Sequence, residues 1–207
     1  MGRPFPFRVP VIVRPDVREA LLSLNHADEV TRARLAADGS LFRGYHPEME
    51  SVHRQNAARL RAIIGAHGWP GRSLVGEDGA EAAWRIAQHA IGEPRFMRQA
   101  LLLLQHAALT NEAPAWQAAY LEDRIRAFEG RSQRYGTQFD WDEDGEMSPH
   151  PPVEDPEGVE ERRAAVGLEP LAVVMRRHRA DAAEPRPADL DVRRREEAAW
   201  AQRVGWR

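Results

Sequence analysis

Six polar side chains, His67, Gln88, His89, Asp123, Gln133 and Gln138, fall in or beside stretches that otherwise read as helical core. The stretches are HGWPGRSLVG (67–76), AAWRIAQHA (82–90), YLEDR (120–124) and QRYGTQ (133–138). Burying a polar side chain costs about 1–3 kcal/mol unless it is hydrogen-bonded. Several in one block therefore mark either a satisfied structural network or a ligand site. Their types suit proton transfer and hydrogen-bonded recognition: imidazoles that titrate near neutral pH, a carboxylate to orient them, and amides to hold a substrate.

His67 is the sequence's first candidate for the proton-transfer group. It ends a helix, where the dipole favours a protonated imidazole, and Gly68-Trp69-Pro70 follows as a rigid turn with Trp69 as a flat wall. The same position equally suits a C-cap that only satisfies the last carbonyls. His53, Asn56, Leu60, Ile63 and His67 are spaced 3, 4, 3 and 4 apart and share one helical face. The two histidines lie at opposite ends of that face, so only one can sit in a given pocket. Trp84, Gln88 and Ile91 share a face of the next helix, with His89 on its flank. Gln88 and His89 beside Trp84 could orient an amide or carboxylate, and Asp123 could orient a histidine. Inter-helix hydrogen bonds and an Arg ion pair are the ordinary alternatives. If QRYGTQ is extended, Gln133, Tyr135 and Thr137 face one way and Gln138 the other, as recognition groups or as packing of a loop. The expected site thus has His67, His89 and Asp123 as catalytic residues, with Trp69, Trp84, Gln88, Gln133, Tyr135, Thr137 and Gln138 binding substrate.

Two absences limit the chemistry. All 29 basic residues are arginine and there is no cysteine. Schiff-base lysines, the Walker lysine, thiolate nucleophiles, Cys-ligated zinc and disulfides are excluded. No HxxxH or HExxH pair occurs, and a metal site from His53, His67, His89 and Asp123 would need chance convergence in space. No metal and no cofactor are expected. DWDEDGE (140–146) lacks the spacing of a calcium loop, and GxSxG and GxGxxG are absent. A net charge of −3 favours no nucleic-acid partner, and no apolar run approaches the ~20 residues of a membrane span. The prolines of MGRPFPFRVPVIVRP break any signal-peptide helix, so a cytoplasmic location is the default. The expected partner is a small molecule or peptide; oligomeric state is not legible.

A mainly α single-domain multi-helix bundle must position these groups. Residues 1–15 read as an extended Pro-rich arm with an edge strand at 7–13. Helices are expected at about 16–37 (capped by Asp16), 48–67, 77–91, 94–109 and 114–129, with GRSLVGEDG as a tight connector. A short irregular or β-hairpin segment follows around 133–148, then helices at 156–166 and 170–179. The main domain is read as 16–179, 180–191 as a linker, and 192–207 as a peripheral charged helix.

HGWPGRSLVGEDGAEAAW, QHA, YLEDR, QRYGTQ and EDPEGVEERRAAVGLEPLA resemble an uncharacterised bacterial family of unknown function over about residues 50–175. The resemblance matches Asn56, Gly68, Trp69, Pro70, Gly76, Trp84, Gln88, His89, Asp123, Arg124, Gln133, Tyr135, Gly136, Thr137 and Gln138 to its pattern. Ala90-Ile91-Gly92 departs from it, since an acidic residue is expected after His89. The resemblance implies domain limits and no reaction. From the residues, the expectation is a cofactor-independent enzyme with a His-based acid–base site, hydrolysing or tailoring a small amide or peptide. The rival is a non-catalytic binding or protein-interaction module whose polar cluster is structural.

Overall fold

The structure, a computed structural model, describes residues 14–42, 44–180 and 189–207. The expected arm and its edge strand lie almost wholly outside these residues, as does most of the expected linker. Eight α-helices and a two-stranded antiparallel sheet are present among the described residues, a mainly α fold with a short hairpin.

Helix α1 (Pro15–Ala37) starts with proline in its first turn, where the missing N–H costs nothing. Asp16 lies inside that turn and pairs with Arg14, rather than capping it as expected. The buried face of α1 is Val17, Leu21, Asp28 and Leu35, so an acid occupies a position in an otherwise aliphatic stripe. Helix α2 (Pro47–His67) is capped by His46, whose Nδ1 accepts from the Glu48 amide at 3.2 Å. It buries Met49, His53, Asn56, Ala57, Leu60 and Ile63, the predicted face, while its last residue, His67, emerges exposed.

Helix α3 (Arg72–His89) takes in most of the expected connector. Its first turn is separated from the remainder by Gly76, at φ 77° and ψ 171°, where the helix kinks. That conformation is essentially reserved to glycine. It lets the chain turn into the helix without a loop. Helices α4 (Pro94–Leu109) and α5 (Ala115–Phe128) complete the core, with α1 against α3 and α4 against α5 as the most extensive helix pairs.

After Gly130 the chain becomes irregular. Strands β1 (Phe139–Trp141) and β2 (Met147–Pro149) pair antiparallel, and Gln133 bridges to Val153. Helices α6 (Val159–Ala165), α7 (Leu171–Ala180) and α8 (Leu190–Val204) follow. The end of the chain is tied into the core. Ala201 and Trp206 belong to the main hydrophobic cluster, and Trp206 Nε1 donates to the Ile91 carbonyl at 2.8 Å. Trp206 also stacks on Phe128, so the expected peripheral helix is anchored.

Gly76→Ala should destabilise the fold by about 1–3 kcal/mol, because alanine cannot adopt that backbone conformation without strain. Gly65→Ala in α2, where an added Cβ meets nothing within 4 Å, should be neutral or stabilising by about 0.5–1 kcal/mol. Urea denaturation of both variants checks the contrast.

Candidate functional site

The predicted residues divide among three places. His67 lies on the surface, and Arg14 Nη1 donates to its Nε2 at 3.1 Å. A guanidinium can only donate, so this contact occupies the lone pair a general base would need. The shallow cleft of about 220 Å³ beside it is lined by Arg14, Asp16, Arg59 and Ile63, with none of the other expected site residues. Trp69 packs partly buried on the core, and Trp84 forms an edge-to-face cluster with Trp116 and Tyr120. Neither joins His67 to the remaining groups.

The second place is the loop. Asp123, fully buried on α5, accepts from the backbone amides of Arg134, Tyr135 and Thr137 at 2.7–3.2 Å and from the Thr137 hydroxyl at 3.1 Å. Burial pushes its carboxyl up, and these donors partly offset that. Gln133, also fully buried, donates to the carbonyls of Gln138 and Pro151 and accepts from the Gln138 amide. Gly136 turns the loop at φ 67°, and Arg163 Nη1 donates to the Tyr135 carbonyl. Asp123 thus holds Tyr135 and Thr137, and Gln133 holds Gln138.

The third place is built on His89. Its Nδ1 lies 2.8 Å from Oδ2 of Asp28, which is only 3% exposed. His53 Nε2 approaches the same oxygen at 3.0 Å, and the two imidazole centroids are 5.3 Å apart. Tyr45, from the turn before α2, places its hydroxyl 2.9 Å from His53 Nδ1 and packs edge-on against Trp200 of α8. Burial would raise the Asp28 carboxyl, but the contacts to His53 and His89 override it and hold it well below the usual carboxylate range. Burial is the largest influence on His89 and lowers its pKa, against the pull of Asp28.

Arg124 joins this centre to the loop. Its Nε donates to Gln138 Oε1 at 2.9 Å and its Nη1 to the Gln88 carbonyl at 3.1 Å, one residue before His89. Burial, with Arg32 nearby, pulls the guanidinium down to about 10. Of the expected catalytic set, the structure therefore brings His89 into a polar centre and leaves His67 and Asp123 elsewhere. Sequence reasoning missed Asp28 and Tyr45. The signal for Asp28 was present, an acid seven residues from both Leu21 and Leu35 on one helical face. Nothing local marked Tyr45.

Asp123→Ala should cost about 2–3 kcal/mol, because it leaves buried amides without an acceptor, and should lower Tm by roughly 5–10 °C. His67→Ala should stay within about 0.5 kcal/mol of the parent. Thermal unfolding of both variants by circular dichroism reads the difference.

No curated protein and no solved structure matches the chain. One family model does, described as a family of unknown function (DUF6624), over residues 15–183. The match begins with α1 and so takes in Asp28 as well as His53, His89 and Arg124, whereas α8 with Trp200 lies beyond it. With most of its length matched, the chain belongs to this family of unknown function.

Proposed function

We propose that this protein is a hydrolytic enzyme acting on a small amide or peptide, with Asp28, His53 and His89 as its reacting centre. One observation carries the reading: the Asp28–His89 hydrogen bond joins a buried carboxylate to an imidazole whose side chain keeps 27% exposure. An ionised carboxylate only accepts, so His89 Nδ1 holds the proton and Nε2 keeps a free lone pair. In this arrangement Nε2 takes a proton from water as the water oxygen adds to the substrate carbonyl carbon. The same nitrogen then protonates the departing amine as the C–N bond breaks, giving an acid and an amine. Arg124, held beside the ring, is the cation that would face the carbonyl oxygen or a substrate carboxylate. The chemistry needs neither the thiol nor the lysine amine that the sequence lacks.

The rival, a non-catalytic binding module, is favoured by the internal satisfaction of Asp123 and Gln133. A panel of N-acyl amino acids and dipeptides, with released amine read by chromatography, separates the two. His89→Ala should lower kcat by about 10²–10⁴-fold with KM little changed, while His67→Ala should leave turnover unaltered. An unreactive parent protein, or a fully active His89→Ala variant, overturns the hydrolytic reading.

A further inference from the structure

The two imidazole contacts to Asp28 Oδ2 are not equivalent. His89 Nδ1 makes a hydrogen bond to that oxygen. His53 Nε2 comes within 3.0 Å of it yet makes no hydrogen bond, so the carboxylate lies off the direction in which the ring nitrogen points. This nitrogen belongs to a residue only 5% exposed and has no other partner. When His53 Nδ1 donates to the Tyr45 hydroxyl, Nε2 carries a lone pair beside a carboxylate oxygen. Two buried acceptors held this close are unfavourable unless a cation sits with both.

We infer that Asp28, His53 and His89 form a mononuclear site for a divalent first-row transition ion. One ligand atom from each of the three lies within 4.8 Å of the others. Two imidazoles and one carboxylate suit zinc, iron, cobalt or manganese, whereas magnesium and calcium take oxygen ligands. With metal–ligand bonds of about 2.0–2.2 Å, neighbouring ligands lie roughly 2.8–3.1 Å apart at right angles and roughly 3.3–3.6 Å apart in a tetrahedron. The contacts of 2.8 and 3.0 Å match the right-angled case, which leaves coordination positions open for water or substrate. Tyr45 is the positioning residue: its hydroxyl on Nδ1 directs the other ring nitrogen of His53 to the ion. The inference shares its centre with the hydrolytic reading and changes who activates water there. A bound ion would lower the pKa of its own water, and the imidazoles would act as ligands.

The test uses the full chain, stripped with a chelator and titrated with Co²⁺ followed by visible absorption, then with Zn²⁺ in competition. One Co²⁺ per chain, displaced by Zn²⁺, is the expected result. His53→Ala and His89→Gln should weaken binding by roughly 100-fold or more, and Tyr45→Phe by roughly 10–100-fold. Circular dichroism confirms that each variant is folded, and His89→Gln, at the more exposed edge, serves if His53→Ala unfolds. No saturable binding, or binding that neither histidine variant weakens, overturns the site. Binding without turnover of any amide or peptide supports the site and overturns the hydrolytic reading. Turnover undiminished after chelation overturns activation of water by the ion and leaves the acid–base reading standing.

Discussion

The carboxylate of Asp123 organises the loop that follows α5. An irregular stretch of backbone laid on a helical core exposes amides to a surface with no acceptors, and each unsatisfied amide would cost as much as a lost hydrogen bond. Asp123 supplies acceptors for three successive parts of the QRYGTQ loop from one buried position on α5. Gln133 then closes the loop on itself, and Arg162 and Arg163 tie α6 to the carbonyls of Arg134 and Tyr135. Once the loop is held, Gln138 has a defined place, and through it so does Arg124.

Asp28 is the second buried carboxylate, and its surroundings are of another kind. Asp123 faces backbone amides and the Thr137 hydroxyl, none of which exchanges a proton near neutral pH. Asp28 faces two imidazoles, which can exchange protons and donate lone pairs. Backbone contacts around a buried charge rigidify a fold, whereas side-chain contacts of this type respond to protons and ions. The partners come from three helices and are backed by a fourth, since Trp200 of α8 packs on Tyr45 and Tyr45 holds His53. The C-terminal helix thus supports the centre from outside the segment matched by the family.

Helix limits were largely legible in the chain. Pro47, Pro94 and Pro114 open helices and Gly68 and Gly130 follow their ends because the fixed φ of proline and the free φ of glycine act locally. The buried face of α2 followed from spacing alone, with His53 and Asn56 on it. GRSLVGEDG was misread because three glycines suggest a loop, although only Gly76 breaks the helix there. The choice of His67 rested on features of its own helix end and had no access to Arg14, 53 residues away, which occupies its ring nitrogen.

By itself the sequence determined the helical class, the α2 stripe, the importance of the YLEDR and QRYGTQ segments, and the absence of thiol and amine chemistry. Those properties depend on residue type and on periods of a few residues. Only the tertiary structure decided that Asp123 belongs to the loop, and that Asp28 on α1, His53 on α2 and His89 at the end of α3 share one oxygen. The physical reason is that such a meeting depends on how helices cross and on which rotation of each faces the core. These are outcomes of packing many side chains at once, which no single stretch of the chain encodes.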